Sequence, residues 1–264
     1  MKKVPELDER IISKAIIESF YKDLIDNLNV DVVIVGAGPA GLICSYYLAK
    51  AHLKTVVFER TLRPGGGIAG GGMMFNKIVV QKTALELLEE LEIRYKKYDE
   101  NYYVVEALEA LGMLLAKAIK VGSKIYNLIS VEDVTIRDDK ITGVVINWSA
   151  VEMANLHVDP LVIQSQFVVD ATGHAAEVVR IVEKKIGPKL FTETGSCIGE
   201  KPMWAERAEE LLLKNTKEAY YNLYVAGMAA NAVFGAPRMG PIFGGMFLSG
   251  KKAAQLIINR TKDS

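Results

Sequence analysis

The stretch "VDVVIVGAGPAGL", residues 30–42, constrains what this chain can fold into more than any other. Residues 32–35 are a short unbroken apolar run, the pattern of a strand buried on both faces. Gly36, Gly38 and Gly41 follow at once, and a helical pattern continues to about Ala51. "KTVVFER" resumes as a second strand ending on Glu59. The whole is a β-α-β unit with G-x-G-x-x-G in its first turn and an acidic residue about 20 positions on. Glycines permit the tight turn and the close approach of a pyrophosphate, while the helix N-terminus supplies N–H groups and partial positive charge. Glu59 is placed to accept hydrogen bonds from ribose hydroxyls. An ADP-containing ligand is therefore expected.

The remaining elements follow from periodicity. Residues 7–28 read as a helix, with Ile11, Ile12, Ala15, Ile16, Phe20, Leu24 and Ile25 at three- and four-residue steps. Residues 65–72 hold six glycines, read as backbone that closes over phosphates or ribose. Helices are expected over about 81–92 and 104–120. A β subregion is expected over about 124–160, with a polar turn at Asp138 and Asp139 and a loop over 149–160. "QFVVDATG" is a buried strand ending at Asp170, with a helix from about Ala175. "NLYVAGM" is a short strand, "FGAPRMGPIFGG" a loop and "MFLSGKKAAQLIINR" a closing helix. No linker divides the chain, so one compact domain over 1–264 is expected.

Composition excludes several classes. Lys+Arg and Asp+Glu both number 32, so no basic excess points to nucleic acid or an anionic membrane. No apolar run reaches the ~18 residues of a spanning helix, and "MKKVPELDER" has no secretory apolar core. Cys44 and Cys197 form no spacing motif, so a cytoplasmic, reducing location is expected. Cys44 reads as a small buried apolar residue; Cys197, in "TGSCIGE", has nothing near it that marks a lowered pKa, and a sulfur-relay role stays open.

The start of the chain and the "VVDATG" strand are shared with flavoproteins of the glutathione-reductase type. Those carry a Gly-Asp near the C-terminus that touches the flavin. Here "LYVAGMAANAV" places Met228 at that position, so no flavin is expected while the dinucleotide reading survives. Together with "ISKAIIESFYKDL", "RPGGGIAGGGMMF", "HVDP", "ATGH" and "APRMGPIFGGMFLSGKKAA", these motifs make nearly the whole chain resemble the thiamine thiazole synthase family. The resemblance implies a flavoprotein-like dinucleotide-binding Rossmann fold (α/β) with a small inserted β subregion. It implies that NAD is a substrate, cleaved to nicotinamide and an ADP-ribosyl fragment that condenses with glycine and takes up sulfur. It also implies a homo-octamer with sites shared between chains. Gly36, Gly38, Ala40, Gly41, Glu59, Arg60, Gly67, Val131 and Met228 are the expected nucleotide-binding set.

One departure is informative. Members that give up their own sulfur carry Cys-x-Asp-Pro where this chain has His157-Val158-Asp159-Pro160. Imidazole holds no sulfur, so the resemblance points to the branch that uses free sulfide and iron(II). By resemblance, Asp159 and His174 are the iron ligands, with the glycine-derived imine in further positions. From the residues alone, His174 reads equally as a strand-end histidine donating to backbone, and Asp159 as an Asx-turn before proline. His157 is assigned to proton transfer, pyrophosphate contact or simply the cysteine slot; His52 reads as surface. Arg238 is assigned to the glycine carboxylate, against a surface arginine at a subunit contact. Competing readings are a sugar-phosphate isomerase, an FAD- or NAD-dependent oxidoreductase and a non-catalytic NAD-binding protein.

Overall fold

A computed structural model describes residues 7–262. The first six residues, part of the stretch read as lacking a secretory signal, lie outside it. The chain opens with α1 (Glu9–Asp26), whose N-cap Asp8 accepts the Arg10 backbone N–H at 2.8 Å. No α1 residue is buried. The helix is held at its inner end by Phe20 edge-on to Tyr126 (5.9 Å) and by an ion pair between Asp23 and Lys124.

The dinucleotide unit follows as β1 (Asn29–Val35), α2 (Pro39–Lys50) and β2 (Thr55–Glu59). Two 3-10 turns, Gly66–Gly70 and Gly72–Met74, shape the glycine-rich segment. Next come β3 (Lys77–Gln81), a 3-10 turn (Lys82–Ala84), α3 (Leu85–Glu90), β4 (Tyr95–Lys97), β5 (Tyr102–Glu106) and α4 (Ala107–Lys120). After them run β6 (Lys124–Asn127), β7 (Ile129–Arg137), β8 (Lys140–Trp148), α5 (Ser149–Met153) and β9 (Leu161–Asp170). The chain closes with α6 (Glu177–Ile186), α7 (Ala205–Asn215), β10 (Glu218–Tyr220), β11 (Leu223–Val225), α8 (Met228–Val233) and α9 (Gly244–Lys262).

The main sheet has the order β10-β11-β9-β1-β2-β6, with β11, β9, β1, β2 and β6 mutually parallel. The β7–β8 hairpin joins it through β8, which pairs antiparallel with the start of β9. Asp138 and Asp139 both take positive φ in the hairpin turn, as expected of a two-residue polar turn. Alternate β1 residues enter opposite cores: Val32 and Ile34 pack with α2, α4 and α9, and Val33 and Val35 with α6, α7 and α8. That two-sided burial explains the unbroken apolar run.

Three expectations are corrected. The helix expected over 81–92 is the 3-10 turn Lys82–Ala84 followed by the short α3, with Gln81 closing β3. The helix expected over 104–120 begins only at Ala107, because "YYVVE" is a strand. β3, β5 and β4 form a separate antiparallel sheet that periodicity did not disclose. The loop expected over 149–160 opens with the short α5.

Candidate functional site at the carboxyl edge of the sheet

The glycines of the first turn have three different structural duties. Gly36 takes φ +98, and a Cβ there would lie 2.6 Å from the Ala171 carbonyl oxygen. Gly41 lets α2 meet the turn, since a Cβ would stand 2.0 Å from the Gly36 carbonyl oxygen. Gly38 has nothing within 4 Å of its Cβ position, which leaves the backbone open to a ligand. The glycine-rich segment folds over this opening: Gly65 donates to the Ala37 carbonyl at 2.7 Å, and the Cβ position of Gly66 is 3.4 Å from Gly38 Cα. Gly67 is exposed with open space around it. Ala40 is buried beneath Gly227 and Gly250, both of which need to be glycine to approach it.

Glu59 does more than its sequence position announced. Its Oε2 accepts the Ala37 N–H at 2.9 Å, and its Oε1 accepts both the Thr61 N–H and hydroxyl, at 2.9 and 2.7 Å. The carboxylate thus ties the second strand to the glycine turn, with lone pairs left for ribose hydroxyls. Arg60 is paired with Glu177 at 2.6 Å, and Val131 is half-buried on β7 just past the carboxyl end of β6.

Parallel order puts the remaining candidates on the same edge. β11, β9, β1 and β2 end respectively at Val225, Asp170, Val35 and Glu59, so Met228, His174, the glycine turn and Glu59 line up beyond neighbouring strand ends. Open α/β sheets bind ligands at this edge. Asp170 is fully buried and accepts from the Thr172 N–H and hydroxyl and from the Val179 N–H, fixing the "ATGH" turn onto α6. Burial pushes its carboxyl up against the pull of those donors.

His174 sits on a 3-10 turn (Gly173–Ala175) against which α8 packs, half-exposed. Its Nδ1 meets Glu200 Oε1 at 2.6 Å. Sequence reasoning missed Glu200, a lone acid in an irregular loop 26 residues away. Nδ1 is held by a carboxylate and Nε2 takes no part in that contact, the arrangement common among metal-ligating histidines. Arg238 is exposed, and its backbone is fixed on both sides: its N–H donates to Lys201 O at 3.2 Å and its carbonyl accepts from Trp204 N–H at 3.1 Å. Met228 and Met239 are buried.

The structure does not bring every candidate together. His157 and Asp159 lie on the exposed loop before β9, where Asn147 Nδ2 holds the Val158 carbonyl at 3.1 Å. His174 lies beyond the other end of that paired ten-residue strand. No hydrogen bond or ion pair joins Asp159 to His174, and no group of three His, Cys, Asp or Glu able to hold a metal forms among the described residues. His52 occupies an exposed turn after α2. Burial raises the Cys44 thiol far above its usual range, and burial likewise raises Cys197, whose Sγ faces the Ala232 carbonyl at 3.6 Å.

The model of the Thi4 family matches residues 13–243. The chain belongs to the Thi4 family. It is 56% identical over 257 residues to a thiamine thiazole synthase from Methanothermobacter thermautotrophicus, covering 97% of this chain and all of that one. It is 53% identical to one from Pyrococcus horikoshii, covering 97% and 99%. A crystal structure of THI4 from Thermovibrio ammonificans superposes with TM-score 0.94 at 45% identity, over 98% of this chain and all of that one. A geranylgeranyl bacteriochlorophyll reductase-like protein from Thermoplasma acidophilum shares the fold at TM-score 0.52 and 16% identity, over 89% and 79% of the two chains. The Thi4 fold is thus the dinucleotide-binding α/β fold expected from the opening motif. No helix among the described residues is long and apolar enough to cross a membrane.

Proposed function

We propose that this protein is a thiamine thiazole synthase that builds an ADP-linked thiazole carboxylate from NAD, glycine and free sulfide, with iron(II). The activity itself rests on near-full-length identity to thiazole synthases. The single structural observation that carries the finer reading is the Glu200–His174 pair beside the dinucleotide turn, which leaves imidazole Nε2 as a metal donor.

In this reading the adenosine half of NAD lies along the glycine turn, with Glu59 toward the ribose and the pyrophosphate over Gly38 and the N-terminus of α2. Gly67 and its neighbours cover it, and Arg60, Val131 and Met228 line the same space. Arg238 holds the glycine carboxylate through two parallel hydrogen bonds, which sets the amine toward the cleaved ribosyl carbon. His174 through Nε2 and Asp159 through its carboxylate are the residues that hold iron(II), a nitrogen and oxygen donor set suited to that ion. Bound iron(II) supplies a Lewis acid for sulfide and substrate oxygens. His157 occupies the sulfur-donor slot without sulfur and serves proton movement there. Two features support sulfide as the external donor: that histidine, and the raised thiols of both cysteines.

The separation of Asp159 from His174 is met by a homo-oligomer in which one chain's 155–160 loop completes its neighbour's site. The loop and its base expose Trp148, Met153, Leu156, Val158 and Val162, and α1 exposes Ile11, Ile12, Ile16, Ile17 and Phe20. Apolar areas of this kind are what subunit contacts cover. An octamer in a cytoplasmic setting, each chain one unit over 1–264, is the assembly proposed.

The test is an anaerobic incubation with NAD, glycine and iron(II), with and without sulfide, read by mass spectrometry of small molecules. ADP-thiazole that forms only with sulfide supports the proposal. Nicotinamide release without thiazole, or turnover of a sugar phosphate alone, replaces it with the oxidoreductase or isomerase reading.

A further inference from the structure

A second carboxyl group, away from the strand ends, governs the segment that carries Arg238. Glu209 lies on α7, and its Oε2 meets Gln81 Nε2 of β3 at 2.6 Å. Both side chains press on the first turn of α9. A Cβ on Gly244 would stand 2.0 Å from Gln81 Oε1, and one on Gly245 would stand 2.2 Å from Glu209 Oε2. The paired glycines of "IFGGMF" are therefore the seat of this Glu–Gln pair. Three elements meet here: α7, β3 and α9.

The same three elements hold the Arg238 loop. The segment leading into α7 pairs with it, Lys201 and Trp204 bonding the Arg238 backbone at 3.2 and 3.1 Å. β3 takes the other end, with Val79 bridged to Ile242 and the Phe243 N–H donating to Val79 O at 2.8 Å. Residues 237–243 are strung between these anchors, and Glu209 fastens the anchors to one another.

The chemistry of the pair calls for a proton. Gln81 Oε1 and Glu209 Oε1 are both buried with no donor among the described residues. A buried carboxylate with one oxygen lacking any donor carries an uncompensated charge, and protonation removes that charge. The 2.6 Å contact is short for N–H···O and ordinary for O–H···O. With the Gln81 amide turned end for end, Glu209 donates to its oxygen across that same contact. Burial pushes Glu209 up to about 7, only partly opposed by the Gly245 N–H and the Gln81 amide.

Charged residues on the surrounding elements are engaged elsewhere: Arg207 with Glu210, Lys77 with Glu106, Lys251 beside Glu90, and Lys252 on the Leu213 carbonyl. Lys82, Glu206 and Lys214 leave no electrostatic mark on Glu209.

We propose that Glu209 is a positioning residue: held as the neutral acid against Gln81 and Gly245, it locks the start of α9 and thereby the loop that presents Arg238. This rests on the assignment of Arg238 to the glycine carboxylate. When Glu209 ionises, the pair loses its donor, and the loop loosens.

The test compares wild type with E209Q and E209A across pH 6 to 9 on the full assembled protein. Glycine KM in wild type should climb above about pH 7 while kcat changes little. E209Q, neutral throughout, should keep a low KM with a flat profile. E209A should raise KM about ten- to hundred-fold at every pH, the loss of a charge-assisted hydrogen bond from Arg238. Two measurements stand apart from activity. Hydrogen exchange at Arg238 and Phe243, corrected for intrinsic rate, should speed up in wild type above pH 7 and not in E209Q. An infrared band of a protonated carboxyl should be present in wild type at pH 6 and absent from E209Q. A flat wild-type exchange profile, or no such band, overturns the proposal. If no variant makes thiazole, the function fails separately, and exchange and infrared still decide the state of Glu209.

Discussion

Replacing Glu200 by alanine isolates what the carboxylate does for His174. The contact is a single 2.6 Å bond to Nδ1, with the Glu200 side chain 16% exposed and that of His174 49% exposed. As a half-exposed pair it contributes at most about 1 kcal/mol to folding, so the melting temperature should hardly move. Its effect on the free Nε2 is larger. The carboxylate sets the ring plane, and loss of such a partner on the second nitrogen of a metal-ligating histidine typically costs ~10–100-fold in metal affinity. That corresponds to about 1.4–2.7 kcal/mol. Glu200→Gln keeps an oxygen acceptor without the charge, so it should fall between wild type and alanine. The assay is anaerobic iron(II) titration in the presence of NAD and glycine, followed by thiazole formation at saturating iron. E200A should bind iron more weakly and recover part of its rate as iron is raised. Unchanged iron affinity in E200A, with an intact fold, would refute the orienting role.

Gly41→Ala should destabilise the chain by ~1–3 kcal/mol or more, because the added methyl meets Gly36 backbone at 2.0 Å, whereas Gly38→Ala, with nothing within 4 Å, should fold normally and lose only NAD binding; thermal melts with and without NAD separate the two. Arg238→Lys should raise glycine KM about ten-fold with little change in melting temperature, since an ammonium cannot reproduce the two-pronged grip. For stability against pH, Glu209 moves from 4.5 unfolded to about 7 folded, so its contribution is full below pH 4.5 and lost as pH rises through 7. The loss is at most about 3 kcal/mol, seen as a denaturant midpoint that falls relative to E209Q between pH 5 and 8.

The dinucleotide unit was legible because its signals are local: an apolar run, three glycines with separate steric duties, and an acid at a fixed distance. Long strongly periodic stretches such as α1 and α9 were legible for the same reason. What stayed hidden depends on contacts between distant residues. "KIVVQ" and "YYVVE" are short strands fused directly to helices, so their alternation is lost in the apolar pattern that follows. Their pairing across some 25 positions is a tertiary fact. α7 is polar on most faces and is held by Glu209 and a few apolar residues, which left it without an expected boundary. In the site, His174 and Arg238 were named on the resemblance, but Glu200 and Glu209 are unremarkable acids in sequence. Their roles arise from burial and from partners 26 and 128 residues away. The same holds for Asp159: residue spacing left open whether it meets His174 within a chain, and β9 stands between them.

The most direct test of sulfide-dependent synthesis is the origin of the sulfur atom. Turnover with heavy-isotope sulfide, NAD, glycine and iron(II), followed by mass spectrometry of product and intact protein, traces it. Fully labelled ADP-thiazole, several equivalents per chain and protein of unchanged mass are the predicted result. Unlabelled thiazole with a protein lighter by one sulfur would contradict it and make a cysteine of the chain the donor.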